Sequence, residues 1–307
     1  MRLGIALEEG LEISGPVLVR HPSLDTDLSA LTNFDVETPD YRVAQRYPEQ
    51  PEREYEATLI IAPRAKDLLR DLIATAPTRR IIVDGQKTDG IDSLWRTCRK
   101  MAEVHGSVTK AHGRLFWMDA EEGAFDDWHY EPPDLHGFVL APGVFSADGI
   151  DPGSYALAEV LPAKIDGHVI DLGAGWGYLS AVAEARGATD IDMVETNAMA
   201  LACAAANTQH ARGHWSDATN WKSDKKADHV LMNPPFHEGR KGTPELGIAF
   251  IANAARNLAP RGTLWMVANR HLPYEETLLK KFAQVTELEG PPGTQSFKLF
   301  QATRPKR

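Results

Sequence analysis

An apolar run, Val169-Ile170-Asp171-Leu172, breaks into Gly173-Ala174-Gly175-Trp176-Gly177 and then into an Ala-rich stretch of helical composition at 179–185. This transition constrains the chain more than any other. Glycine takes backbone angles closed to other residues, so a strand can turn sharply and leave bare backbone for a ligand. The downstream sequence repeats the alternation. Strands are expected at 190–194, 229–232, 262–268 and 296–302, with helices at 198–207, 245–258 and 274–282. Strand–helix alternation of this kind predicts a mostly parallel sheet covered by helices on both faces.

At 307 residues the chain is long for one core and suited to two domains. Residues 128–142 are rich in Pro, Gly and acids around Pro132-Pro133, and proline pairs punctuate structure. The reading is one domain over 1–135 and a second over 136–307. The first reads as a faded copy of the second. Strands at 58–63, 79–83 and 113–118 and helices at 65–76 and 91–104 parallel later elements, and Phe34-Asp35-Val36-Glu37-Thr38 echoes Met193-Val194-Glu195-Thr196. Where the glycine turn belongs, the first half has Val17-Leu18-Val19-Arg20-His21-Pro22. Without those glycines the backbone cannot approach a ligand closely, so the first domain is expected to bind no cofactor and to serve RNA docking or stability.

Net charge is −10. Residues 1–140 hold 16 Lys+Arg against 25 Asp+Glu, and residues 141–307 hold 17 against 18. Such a chain is not built for non-specific polyanion binding, so a nucleic acid must be gripped by local patches. Candidates are Arg79-Arg80, Arg96 with Arg99 and Lys100, Arg240-Lys241, and the tail Arg304, Lys306, Arg307; each is also an ordinary solvated charge. Cys98 and Cys203 make no disulfide framework, no run is long enough to span a membrane, and the N-terminus lacks a signal-peptide pattern. A cytoplasmic monomer is expected.

The glycines follow G-x-G-x-G, one residue short of the dinucleotide pattern. Asp171 stands two residues before the first, where a carboxylate can face a cationic amino group that a pyrophosphate could not replace. Taken alone, the turn leaves nicotinamide binding open. Glu195 ends the second strand, where a carboxylate accepts hydrogen bonds from ribose hydroxyls. Asp217 can accept from an adenine amine, or make a local turn bond. Gly173, Gly175 and Gly177 complete the cofactor-binding set.

Asn233-Pro234-Pro235-Phe236 decides the class. An exocyclic amine is a poor nucleophile because its lone pair is delocalised into the ring. The Asn233 side-chain carbonyl and the Pro234 main-chain carbonyl can hold its hydrogens and localise the pair, and proline aims them beforehand. Phe236 offers a face on which a base can stack. The chemistry is methyl transfer from S-adenosylmethionine to a planar amine, with no metal; the histidines, His237 included, show no ligand spacing. The turn-rich stretch 142–154 precedes the sheet and can close over the site, with Phe145 against substrate and Asp151 or Ser154 near the cofactor.

Five stretches then carry a family resemblance: 142–154, 171–177, Asn233-Pro234-Pro235-Phe236-His237, 267–274 and 297–300. A weaker one lies at 83–91. In these the sequence resembles bacterial ribosomal RNA guanine-N2 methyltransferases, both the methyltransferase C type of the small ribosomal subunit and the methyltransferase G type of the large one. The resemblance implies an α/β fold of two tandem Rossmann-like methyltransferase domains, the N-terminal one degenerate. It implies that Asp171, Gly173, Gly175, Glu195 and Asp217 contact S-adenosyl-L-methionine, that residues 233–236 face a guanine amine, and that the partner is ribosomal RNA or a ribosomal subunit. Trp176 departs from the small residue common in that turn. Methylation of a protein or small-molecule amine, or a non-catalytic RNA-binding role, are the alternatives.

Overall fold

Strand β7 (His168–Leu172) is buried along its whole length, as a strand must be when it is flanked by parallel neighbours and covered on both faces. It belongs to the second of two compact units, Met1–Pro132 and Pro133–Arg307. The computed structural model describes the whole chain except Met1, Glu49, Glu52, Phe236, Gly239, Arg240, Thr243 and Arg307, with backbone alone for His237, Glu238, Lys241 and Gly242.

In chain order the first unit contains α1 (Arg2–Glu8), β1 (Val17–Arg20), β2 (Phe34–Glu37), α2 (Tyr41–Arg46), β3 (Ala57–Ile61), α3 (Lys66–Ala74), β4 (Arg80–Gln86), α4 (Ile91–Cys98), β5 (Glu103–Lys110) and β6 (Gly113–Asp119). Its sheet runs β2-β1-β3-β4-β6-β5. The first four strands are parallel and β6 is antiparallel to both its neighbours.

The second unit contains α5 (Pro152–Val160), β7, α6 (Tyr178–Ala185), β8 (Asp190–Glu195), α7 (Ala198–Asn207), β9 (Ala211–Trp215), β10 (Ala227–Met232), the short pair β11 (His237–Glu238) and β12 (Lys241–Gly242), α8 (Pro244–Asn257), β13 (Leu258–Asn269), α9 (Glu275–Lys281), β14 (Phe282–Leu288) and β15 (Phe297–Pro305). Its main sheet runs β14-β15-β13-β10-β7-β8-β9, with β15 antiparallel to both neighbours. The two sheets share one order, except that among the described residues the first has no strand outside β2. Side chains alternate between the faces: Ile170 and Leu172 pack with Met232 and Met266, and Val169 with Leu231 and Val267.

Three strands were not legible as apolar runs. β9 reads Ala-Arg-Gly-His-Trp, β14 is largely exposed, and β5 carries His105, Ser107 and Thr109. All three are edge strands, paired on one side, and only scattered apolar side chains reach the core from them: Val104 and Val108 from β5, Ala211 from β9, and Phe282, Val285 and Leu288 from β14. The expected helix at 91–104 ends at Cys98, and Val104 lies in β5. Cys98 and Cys203 are free and buried. Among the described residues no helix is long and apolar enough to cross a membrane.

Candidate active site

The glycine turn divides its work among three residues, all at positive φ: Gly173 at 74°, Gly175 at 55° and Gly177 at 89°. A Cβ on Gly177 would stand 2.9 Å from the Ala204 backbone, so this glycine lets α6 lie against α7. A Cβ on Gly173 would meet the Phe250 ring at 3.1 Å. A Cβ on Gly175 would meet nothing within 4 Å. Gly175 therefore presents bare backbone to open space, and it lines a cleft with Gly173, Ala174, Tyr178 and Asn233.

Glu195, at the end of β8, braces the turn. Its Oε2 accepts from the Gly175 N–H at 2.8 Å, and its Oε1 accepts from Asn197 N–H at 2.9 Å and Thr196 Oγ1 at 3.2 Å. A carboxylate has about four acceptor positions, so these bonds leave one to spare, and Glu195 reaches the cleft lining only through Gly175, not being among the lining residues itself. Asp171 sits on the face of β7 covered by α6. It is 1% exposed, and its Oδ2 accepts from Ser180 Oγ at 2.7 Å. Burial pushes its carboxyl up to about 7, opposed by the Ser180 bond and aided by the Glu195 charge. Asp171 and Gly177, both named from the sequence as cofactor contacts, are not among the cleft-lining residues. Asp217 follows β9, and its Oδ1 accepts from the N–H and the hydroxyl of Thr219 at 2.8 and 2.7 Å. It makes the local turn that the sequence allowed, away from the cleft lining.

Asn233 leaves the end of β10 facing α5. Its Nδ2 donates to Asp151 Oδ2 and to Ser154 Oγ, each at 2.9 Å. The Asp151 carboxylate accepts only, so the amide nitrogen must face it. Asp151 is itself held as the N-cap of α5, accepting from the Ser154 N–H at 2.7 Å, with Pro152 in the first turn. Both amide hydrogens are thus used, and Oδ1 is the end left over. Among the described residues no donor takes it. Pro234 is buried and Pro235 exposed. Phe236 lies outside the described residues.

The approach to the cleft is built from 138–151. Phe145, 57% exposed, and Ser146 stand in the lining with Asp151 and Ser154. Trp176, 4% exposed, packs on Phe138 and Tyr178 with ring centroids 5.0 and 5.6 Å away. Its bulk secures the segment that carries Phe145. Asn207 fastens the same segment: it accepts from Val139 N–H at 2.7 Å and donates to the Val139 and Trp176 carbonyls at 3.0 and 2.8 Å. Sequence reasoning missed Asn207 and Ser180. Ser180 was signalled only as a polar residue in an Ala-rich helix; for Asn207 no local signal exists, because its partners are 31 and 68 residues away.

Among the described residues the cleft lining holds one carboxylate, Asp151, and no Lys, Arg or His. Such a lining suits a ligand with a positive centre and offers nothing to neutralise a pyrophosphate. Among the described residues no His, Cys, Asp and Glu cluster has metal-binding geometry.

Residues 136–301 match the family model of the methyltransferase small domain. The ribosomal RNA small subunit methyltransferase C of Shewanella oneidensis is 31% identical over 269 residues, covering 81% of this chain and 77% of the relative. Its counterpart in Shewanella pealeana is 32% identical over 254 residues, covering 76% and 74%. Among solved structures, the T. thermophilus 16S rRNA N2 methyltransferase in complex with AdoMet and guanosine covers 98% of this chain and 91% of its own, with TM-score 0.73 and 22% identity. That likeness is one of fold.

Proposed function

The chain belongs to the ribosomal RNA small subunit methyltransferase C family, and from that premise we propose that it methylates the exocyclic N2 amine of a guanine in small-subunit ribosomal RNA. It is an S-adenosylmethionine-dependent methyltransferase. The observation that carries the reading is the fixed Asn233 carboxamide, whose Oδ1 takes no donor from the described residues and which lines the same cleft as the bare backbone of Gly175.

The residues present fit the cofactor. The space beyond Gly175 is open where any side chain would fill it, Glu195 has an acceptor position to spare, and the described lining residues include no cation to repel a sulfonium. When bound there, S-adenosylmethionine supplies a methyl group on a positively charged sulfur. Gly173 and Gly175 would hold it against backbone and Glu195 would accept from its ribose, while Asp217, with Oδ1 spent on Thr219, would have only its other oxygen to offer the adenine end. Asn233 Oδ1 and the Pro234 carbonyl accept the two hydrogens of the guanine amine and draw its lone pair out of the ring. Phe236 and Phe145 supply aromatic faces for the base. Asp151 and Ser154 act as positioning residues, holding the Asn233 amide in one orientation. The proton released after transfer passes to water, since the methylated amine is acidic until it loses one. Asp171 acts indirectly, by tying the turn to α6 through Ser180.

The first unit is read as carrying no cofactor site. Where the second unit has a glycine turn and a ribose-binding acid, Arg20 at the end of β1 pairs with Glu37 at the end of β2, at 2.6 Å, and donates to the Leu72 carbonyl. A guanidinium occupies that acid. The experiment that tests the whole reading is incubation with labelled cofactor and separated ribosomal subunits from cells lacking the protein, followed by mapping of the modified base. Label confined to small-subunit RNA at a guanine N2 is expected. Label in protein alone would replace the reading.

A further inference from the structure

Four cations surround one depression at the end of the second unit's sheet remote from Asn233. Lys226 precedes β10, Arg256 stands in the last turn of α8, Lys281 ends α9 and Lys306 follows β15. All four are exposed and line the same depression, with Leu258 among its apolar floor residues, and among the described residues no carboxylate lines it. Their hydrogen-bond partners are neutral. Lys226 Nζ donates to the Arg256 carbonyl, Arg256 to Asn253 Oδ1 at 2.8 Å, and Lys306 Nζ to the Leu279 carbonyl at 2.7 Å. Among the described residues none of the four is in an ion pair. Their sequence neighbours are: Lys225 pairs with Asp190, and Lys280 with Glu276.

Part of this charge serves the carbonyl ends of α8 and α9, where a cation is favourable. Two helix ends do not call for four cations round one concavity, where they repel one another. Of the other basic patches, Arg79 pairs with Glu121 and Arg80 with Asp119, and the Arg99 guanidinium lies over the Trp95 ring, 5.0 Å from its centroid. Among the described residues the cleft lining has no cation. A chain of net charge −10 that holds a polyanion must do so where its positive charge is concentrated and unmatched.

We propose that this depression is a second binding surface for ribosomal RNA, gripping backbone phosphates away from the methylated nucleotide. The inference rests on the proposed ribosomal RNA substrate. Lys226 and Asn233 flank the two ends of β10, about 20 Å apart at the rise of a strand. Only a substrate much longer than a nucleotide reaches both, so the depression selects for large RNA and leaves the chemistry alone.

The test compares wild type with the triple variant K226Q/K281Q/K306Q, which keeps the Arg256 guanidinium and its bond to Asn253. Binding of purified small-subunit ribosomal RNA is measured across a salt series, beside thermal stability, cofactor affinity and turnover of RNA. Each phosphate that the variant no longer neutralises flattens the plot of log K against log salt by about 0.7–0.9, so a change in slope of about 2–3 is expected. The KM for the full-length RNA should rise at least tenfold, with kcat, cofactor affinity and turnover of a short target oligonucleotide unchanged. An unchanged slope would overturn the proposal, as would a fall in Tm without any change of slope, which is the signature of helix-end cations alone. Weakened binding of an acidic ribosomal protein with the RNA slope intact would make the depression a protein-binding surface instead. If wild type binds RNA through these lysines but methylates none, the functional reading fails while the RNA-binding surface stands.

Discussion

The Asn233 side chain donates to Asp151 Oδ2 at 2.9 Å across 82 residues of chain. This bond determines which end of the carboxamide meets the substrate. Asp151→Asn keeps the N-cap of α5, since Asn caps as well as Asp, but it removes the obligatory acceptor and lets the amide turn. A hydrogen bond to a charged group contributes roughly 1.5–3 kcal/mol, so kcat should fall by about 10- to 100-fold with the cofactor KM little changed. Asn233→Ala should abolish turnover and leave cofactor binding nearly intact. Steady-state kinetics with calorimetric titration of the cofactor separates these. Joint loss of binding and turnover in either variant would mean that the pair is structural.

Gly175→Val should block cofactor binding while the protein stays folded. The new side chain enters open space, and its conformational cost at φ 55° is about 1–2 kcal/mol. Gly177→Val should instead unfold the region, because its side chain meets the Ala204 backbone. Calorimetry and thermal melts on both variants give opposite orders of damage. If both lose stability equally, Gly175 is no more than a turn residue.

Asp171 makes stability depend on pH. The folded protein keeps its proton up to about 7, whereas the unfolded chain releases it near the ordinary value of 3.8. Between these values the native state binds the extra proton, so stability falls as pH rises from about 4 to about 7, by at most about 1.4 kcal/mol per unit, and then levels off. Asp171→Asn keeps an acceptor for Ser180 and cannot titrate. Urea unfolding at pH 5 and pH 7.5 should show a decline in wild type that the variant lacks. Parallel curves would place the proton elsewhere.

Phe145 is the exposed aromatic in the cleft lining. Phe145→Ala should raise the RNA KM by about tenfold, within the roughly 1–3 kcal/mol that stacking a base on an aromatic ring contributes. Cofactor affinity should not move. An unaltered KM would remove Phe145 from the substrate's path.

Much of this protein was legible in its residues. The glycine turn, the buried parallel strands and the strand-end Asn-Pro-Pro are local signals, because glycine, proline and apolar runs act on their own backbone. The repeat in the first half was legible for the same reason, as apolar runs at matching positions. Edge strands β5 and β14 were not, since only scattered side chains such as Val108 and Phe282 reach the core from them, and β9 was legible only as the strand expected before Asp217.

Chain order could not say which glycine faces a ligand and which only lets α6 reach α7; that depends on Ala204, 27 residues downstream of Gly177. Nor could it set Asp171 behind the turn with Ser180, join Asn207 to Val139, or gather four cations from four separate elements. The folded sheet decided these. By placing β10 beside β7, it brings the end of one strand to the loops of another, and side-chain hydrogen bonds and charge repulsion act through space at a few ångströms, whatever length of chain lies between.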